Sequence, residues 1–242
     1  MILLLTLMGC PKAPDLGGPL EVDPARLLAQ AQAEPLPEAS AVNFDLALDI
    51  GEQHLSAQGS LVVAPPNRFR IEVRGPIGPA QVIIVSDGVG IRAWLAAKNT
   101  VYTLDDADAR IKAITEGPGL DALASTLLGR LPALGAPDEA LVADLAAWRW
   151  KGPELSHLDA RLDPRTAHLS ALTLVDQQGA SLFVAAIEGH ARPEQLVADL
   201  PTKAVHATLE FGDWRDATPP DSAFTLMIPA SATVEPITLA PG

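Results

Sequence analysis

The sequence is short of cysteine, of aromatic side chains and of positive charge, and each shortage excludes something. Cys10 is the single cysteine, so no disulfide forms within the chain and the fold depends on burial alone. Aromatic residues make up 4% of the 242 residues, so the core consists mainly of Leu, Val, Ile and Ala. Only 17 Lys and Arg stand against 30 Asp and Glu, a net charge of -13. This balance argues against a nucleic-acid partner, because phosphates need a basic surface.

The first ten residues form an apolar run that ends at that cysteine. The run from Ile2 to Met8 is too short to span a bilayer, which takes about 20 apolar residues, and no Lys or Arg precedes it. Its end, Leu7-Met8-Gly9-Cys10, resembles the lipobox of bacterial lipoproteins, which implies a covalent lipid on Cys10. A chance leucine-rich start stays open as an alternative, and so does a start site that misses a basic leader.

Residues 11–40 contain six prolines and read as an extended tether. Asp23 directly before Pro24 is a helix-start signal, so a short helix near 24–34 is expected within it.

From residue 40 onward, apolar and polar residues alternate with a period of two, which is typical of half-buried strands. Val42 to Ile50 alternates clearly, and His54 to Val63 is its expected partner across a tight turn. Arg68 to Arg74 places all its charged residues on one face and its apolar residues on the other. Further strands are expected at 82–85, 91–95, 100–104, 169–175, 182–187, 205–211 and 224–228.

The middle of the chain has a helical period instead. Leu120, Ala124 and Leu127 recur at helical spacing, and so do Leu141 and Leu145. Six strands, a helical insertion and four or five more strands predict a mainly β fold with helices (α+β). The expected architecture is a large curled antiparallel sheet whose apolar face is covered by the helices.

Catalytic and metal-binding patterns are missing from the sequence. The five histidines, at 54, 157, 168, 190 and 206, lack the spacing of zinc ligands. The acidic turn at 105–108 lacks the glycine and the closing glutamate of a calcium loop, and no glycine-rich phosphate loop occurs. We therefore expect a protein without enzymatic activity, metal or cofactor.

Several motifs, in order along the chain, resemble the LolA/LolB family of lipoprotein carriers and receptors. Pro66-Asn67-Arg68-Phe69-Arg70 is similar to its P-x-R-F-R strand, and Ser86-Asp87-Gly88 is similar to its DG turn. Leu127-Leu128-Gly129-Arg130-Leu131-Pro132 is similar to the LLG-x-x-P segment of the receptor-like branch. The segment from Phe224 to Pro229 looks like the closing strand of that family. The resemblance covers about residues 40–230.

The resemblance implies a half-open antiparallel β-barrel of about 11 strands with a helical lid and an apolar hollow for lipoprotein acyl chains. The implied organisation is a signal peptide (1–9), a Pro-rich tether with a short helix (10–40), the barrel (41–230) and a C-terminal tail (231–242). Cys10 places the chain nearer the lipid-anchored receptor branch. The implied function is an outer-membrane lipoprotein, facing the periplasm, that assists lipoprotein localisation and insertion. The implied partners are acyl chains, a periplasmic LolA-like carrier and the membrane that holds the anchor.

Inward apolar side chains would line the hollow. The alternation by itself favours a filled sandwich core, whereas the resemblance to the family favours an open cavity. The candidate lining residues are Phe44, Leu46, Leu48, Phe69, Ile71, Val73, Val82, Ile84, Trp94 and Phe224.

A second candidate site is the connection Gly75-Pro76-Ile77-Gly78-Pro79, in which glycines and prolines bracket one large apolar residue. In the receptor branch a leucine of a matching P-L-G loop protrudes and assists delivery, and Ile77 falls at that position. The alternative, a tight turn whose Ile77 folds back onto the sheet, stays open.

An alternative function fits the same fold: a lipid-anchored envelope scaffold or lipid sensor without transfer activity. The acidic surface and the Pro-rich tether suit this role equally well. Pro11 follows the cysteine where, in enteric bacteria, an Asp directs retention at the inner membrane, so the outer membrane is favoured.

Overall fold

The protein folds around one long antiparallel sheet, as seen in a computed structural model that describes residues 23–75, 79–107, 119–141, 146–152 and 155–237. The helices within these ranges are α1 (Pro24–Ala33) and α2 (Leu120–Leu127). The strands are β1 (Ser40–Ile50), β2 (Gln53–Ala64), β3 (Arg68–Arg74), β4 (Ala80–Asp87), β5 (Ile91–Leu95), β6 (Thr100–Leu104), β7 (Glu139–Ala140), β8 (Ala147–Trp150), β9 (Leu155–Leu162), β10 (Leu169–Asp176), β11 (Ser181–Glu188), β12 (Gln195–Leu200), β13 (Val205–Phe211), β14 (Arg215–Asp216) and β15 (Thr233–Pro236).

The sheet consists of two antiparallel meanders, β1–β6 and β7–β13, joined by the pairing of β1 with β13. β15 adds to the edge at β6 in parallel, and β7 forms the opposite edge. The ladders of the described strands do not pair these two edges, so the sheet is open. The expected open α+β architecture is confirmed.

The expected number of about 11 strands is wrong, because the described residues form fifteen. β7 and β14 have two residues each, and β15 has four, lengths at which alternation carries little signal. The predicted strand at 224–228 is also wrong: Asp221–Phe224 is a short 3-10 turn, and the chain after it is irregular. Of the predicted helix around Leu141 and Leu145, the first residue follows β7 in non-helical chain and the second lies outside the described residues.

α1 begins where the sequence predicts it. Asp23 Oδ1 accepts hydrogen bonds from the backbone N–H groups of Ala25 at 3.0 Å and Arg26 at 3.3 Å, and Pro24 occupies the first turn. Both features stabilise a helix start, whose N–H groups have no partner within the helix. Leu27 and Ala31, one turn apart, are buried in the core of the second meander, so α1 is part of the folded unit.

The two helices cover the apolar inner face of the sheet. α1 packs with Trp148 and Trp150 over β8–β12, while α2 places Leu120 and Ala124 against the inner face of β1–β3. Leu209 of β13 contacts both clusters and makes the inner core continuous. An amphipathic helix on a one-sided sheet is the simplest way to remove both apolar surfaces from water.

The outer face of β4–β6 has its own cover, a C-terminal strap that we define as residues 217–232. Phe224 and Leu226 of the strap pack with Val85 and Val101. This second covered face explains why β4 is apolar on both sides, unlike β1 and β3. Together with the pairing of β15, the strap extends the folded unit beyond residue 230.

Candidate functional site

The inner face of β1–β4 is the candidate site, and most of the predicted lining residues lie on it. Leu48 lies two residues beyond Leu46 on β1 and therefore faces the same way, and Val82 pairs directly with Val73. The residues that pack in one inner cluster are Phe44, Leu46, Phe69, Ile71, Val73 and Ile84. The structure thus brings eight of the ten candidates onto one apolar face, and their role in binding acyl chains stays a prediction.

Trp94 and Phe224 do not belong to this face, so their place among the lining residues is wrong. Both pack in the cluster beneath the C-terminal strap. Trp94 pairs with Ile83 in the ladder, whereas the inward Ile84 pairs with Ala93. Adjacent residues of a strand point to opposite faces, which puts the indole on the outer side.

The exposure of the inner face changes from one end of β1 to the other. The closed end is where β1 begins and β2 ends; there Leu61 is 1% and Val63 0% exposed. The open end is where β1 ends and β2 begins; there Ile50 is 43% and Leu55 50% exposed. Leu200, 40% exposed, completes the open end from β12.

Strand register shows that these exposed residues share the inner face. Leu48 pairs with Leu55 on one side and with Ala207 on the other. Ile50 pairs with Val205, which in turn pairs with Leu200. Because directly paired residues of antiparallel strands point to the same side, four neighbouring strands present one apolar rim.

This rim was not predicted from the sequence. Leu55 and Leu200 were not among the candidates, although Leu55 lies in a predicted strand. The sequence does contain one signal for the rim: the alternation continues unbroken through Ile50, which assigns the whole of β1 to one apolar face. The alternation does not show which end of the strand the helices leave uncovered.

The middle of the inner face is filled by aromatic rings. The Phe44 and Phe211 rings are 6.3 Å apart in an edge-on arrangement, and Phe211 is 5.4 Å from the Trp214 ring. Phe44 lies over Gly59, where a Cβ atom would stand 2.2 Å from its Cζ. Glycine is therefore required opposite Phe44, and this close approach separates the open end from the buried core.

β3 ends at Arg74, which pairs with Gln58 in the middle of β2. Ile77, predicted to contact the membrane, lies outside the described residues, as does Cys10. On the same strand, Glu72 bonds Arg70 at 2.7 Å and Arg74 at 2.9 Å. Burial alone would raise the pKa of Glu72, but the hydrogen bonds from both arginines lower it below its usual 4.5.

The outer face carries grooves of a different character. Two adjoining grooves, of about 510 and 500 Å³, cross β2, β1 and β13. Asp45, Gln58 and Glu210 line both of them, so each groove holds two carboxylates. A hydrocarbon tail bound there would remove these charges from water, which is costly, and the inner face remains the candidate for an apolar ligand.

No group of three or more His, Cys, Asp or Glu within the described ranges is arranged to hold a metal ion. Neither α1 nor α2, nor any other helix among those residues, has the length and apolar character that crossing a bilayer requires.

This architecture, an open antiparallel sheet with helices on its inner face, is similar to those of several solved proteins, one of them from the LolA superfamily. A DUF1329 family protein from Desulfovibrio piger superposes with a TM-score of 0.55 at 10% identity, covering 84% of this chain and 95% of that one. A LolA superfamily protein from Nitrosomonas europaea gives 0.54 at 13% identity, with 85% and 98% covered. A Vibrio parahaemolyticus domain assigned to outer-membrane lipoprotein sorting gives 0.52 at 12%, with 83% and 97% covered.

These likenesses establish the fold that the sequence motifs implied, and at such low identity they establish the fold alone. No protein-family model matches the sequence, and no curated protein matches it significantly.

Proposed function

We propose that this chain is a lipid-anchored lipoprotein of the bacterial envelope that binds lipoprotein acyl chains on its inner face and assists their delivery to the outer membrane. The role is binding without catalysis, and the covalent lipid on Cys10 is its only expected added group. The LolA-type fold supports this proposal. The observation that carries it is the apolar rim at the open end.

The rim matches the energetics of a hydrocarbon ligand. Burying one methylene is worth about 0.8 kcal/mol, so a dozen methylenes of an acyl chain represent roughly 10 kcal/mol. A chain that leaves a membrane loses this energy unless another apolar surface takes the membrane's place. Ile50, Leu55 and Leu200 offer such a surface beside the strand-end turns, where an entering chain meets no carboxylate of the outer grooves.

Transfer then requires differential burial and no covalent chemistry. A chain held against a partly exposed rim is bound more weakly than one enclosed in a sealed cavity, because less of it is removed from water. Weak holding next to a membrane favours release into the bilayer. The anchor on Cys10 would keep the open end near its target, and a soluble carrier would supply the ligand.

A second function, an envelope scaffold or lipid sensor without transfer activity, is favoured by the filled middle of the inner face. Phe44, Phe211 and Trp214 occupy the space that a deep hollow would need. If a chain engages the rim alone, the protein senses or docks on lipid and does not carry it.

The test is acyl binding by the full chain with Cys10→Ser, which removes the lipid and leaves the rest unchanged. A fluorescent fatty acyl probe should bind saturably. Leu55→Asp places a charge on the rim and should weaken binding strongly, because a charge beside a buried chain is costly. Ser56→Asp is the matched control, since it adds the same charge one residue away on the outer face.

Binding that is lost in Leu55→Asp and kept in Ser56→Asp supports the inner-face site. Equal binding by the two variants would contradict it. Saturable probe binding without movement of a bound lipoprotein into vesicles would favour the sensor over the transfer protein.

A further inference from the structure

At the closed end of the sheet, away from the rim, two arginines of distant chain segments lie side by side. Arg130 follows α2 across Gly129, and Arg192 belongs to the connection between β11 and β12. Gly129 has a φ of +67°, and a Cβ atom there would stand 3.1 Å from Pro193, so the two segments are in contact. We call Arg130 and Arg192 the arginine pair; their side chains are 12% and 24% exposed.

Carboxylates neutralise the arginine pair only in part. Arg130 contacts the carboxylate of Glu34, just beyond α1, and that carboxylate also lies 3.2 Å from His168 Nε2. Arg192 Nη2 is 3.8 Å from the well-exposed Asp216, a distance too long for a hydrogen bond. The Glu34 carboxylate therefore serves both Arg130 and His168, and among the described residues Arg192 has only the more distant carboxylate of Asp216.

Several donors of this cluster are buried and have no hydrogen-bond partner in the described part of the chain. Arg130 Nε and Arg192 Nη1 are buried and make no hydrogen bond to the residues that the structure describes. Ser40 Oγ is likewise buried and without a partner in that part of the chain, and Ser40 pairs in register with Asp216. Leaving a buried charged donor unsatisfied is costly, and such groups are rare in folded proteins.

The electrostatics also indicate uncompensated positive charge. Burial and the nearby charge of Arg130 lower the pKa of Arg192, against the opposing influence of Asp216 and Glu34. In a chain with a net charge of -13, two adjoining arginines short of carboxylates are an exception. Guanidinium groups bind carboxylates and phosphates through paired N–H donors, and Arg192 reaches solvent on one side.

We propose that the arginine pair is a binding site for a small oxyanion, a carboxylate or a phosphate, which accepts hydrogen bonds from Arg192 Nη1 and Arg130 Nε. The oxyanion is free in solution or belongs to a lipid headgroup; both have the same chemistry. This site lies at the end opposite the rim, so it does not depend on the proposed function.

The test is calorimetric titration of the full chain with sodium phosphate and with sodium acetate at constant ionic strength. Arg192→Gln should weaken binding about tenfold, as expected for the loss of one charge-assisted hydrogen bond. Arg165→Gln is the matched control, because it removes the same charge from an exposed turn at the same end of the sheet. Arg192→Lys, which keeps the charge without the planar fork, should show intermediate binding and serves if the glutamine variant does not fold.

Vesicles of phosphatidylglycerol and of phosphatidylcholine separate the two sources. Binding of free phosphate or acetate that Arg192→Gln weakens and Arg165→Gln preserves supports a soluble anion. Binding that depends on Arg192 only with phosphatidylglycerol vesicles supports an anionic headgroup. No saturable binding of any probe, or equal binding by wild type and Arg192→Gln, would overturn the proposal; the acyl-probe experiment would be unaffected by either result.

Discussion

The two ends of the inner face are built from the same residue types and differ in what covers them. At the closed end, Leu61 and Val63 are fully buried under α2, whereas Leu55, on the same strand and the same face, is half exposed. The inward positions of β2 are apolar or glycine from Leu55 to Val63, so the inward half of the pattern does not distinguish the ends. The helices cover the closed end, which is therefore part of the core, and leave the open end free to contact a ligand.

The largest expected effect comes from shortening a leucine at the closed end, compared with the same change at the open end. Leu61→Ala should lower the free energy of unfolding by about 2–5 kcal/mol, because it leaves a cavity in the core. Leu55→Ala should change it by less than about 0.5 kcal/mol, since the side chain is already half in water. Urea unfolding of both variants measures the difference. Similar losses at the two positions would mean that the ends are not distinct.

The boundary between the ends is tested by Gly59→Ala. The new methyl group would stand 2.2 Å from the Phe44 ring and 2.6 Å from the carbonyl oxygen of Glu72. Overpacking of this kind costs about 1–3 kcal/mol, so the melting temperature should fall. Because a backbone atom is involved, a smaller side chain at position 44 should restore only part of the stability. An unchanged melting temperature would show that the ring does not define the boundary.

The outer side of β3 carries an ion-pair network of Arg70, Glu72 and Arg74, which is tested by Glu72→Gln. The depressed pKa of Glu72 means that its carboxylate stabilises the fold above the unfolded value of about 4.5 and that this contribution is lost as the pH falls through the lower folded value. At pH 7 the variant should be less stable by about 1–2 kcal/mol. Unfolding curves of wild type and variant should converge in acid; a gap that persists at pH 2 would contradict this assignment.

The smallest expected effect concerns the outer cover, the C-terminal strap. Arg68 bonds Asp221 at 2.8 Å, and its guanidinium lies 4.8 Å from the centre of the Phe224 ring. Arg68→Ala should cost about 1 kcal/mol and increase hydrogen exchange in the strap, with the inner face unchanged. Arg165→Ala, at an exposed turn, is the control. Faster exchange in β1 and β2 instead would show that the strap and the inner face are coupled.

Much of the inner face was predictable because β1 and β3 each have one solvent-exposed side. In such a strand the alternation of polar and apolar residues shows directly which side chains face the core. Phe44, Phe69 and Ile71 were assigned to it for that reason. Trp94 was misassigned because β4 and β5 are covered on both sides, and a strand that is apolar on both sides does not show which side is which. The apolar character of β4 was itself a sign of a second cover.

The remaining features depend on contacts between distant parts of the chain. Nothing in the local pattern around Arg130 indicates that Arg192 lies beside it, because the contact depends on the pairing of whole meanders. The exposure of Leu200 likewise follows from where the helices stop. Sequence periodicity describes which way a side chain points, whereas cover and long-range pairing depend on the tertiary fold.

Photo-crosslinking with a fatty acid that carries a diazirine at the end of its tail, followed by mass-spectrometric mapping on the full chain with Cys10→Ser, tests the central claim most directly. The account predicts labels on Ile50, Leu55 and Leu200, with little on Met227, which is exposed and apolar but lies on the strap. Labels on Met227 to the same extent, or on the walls of the outer grooves, would contradict a hydrocarbon site at the open end.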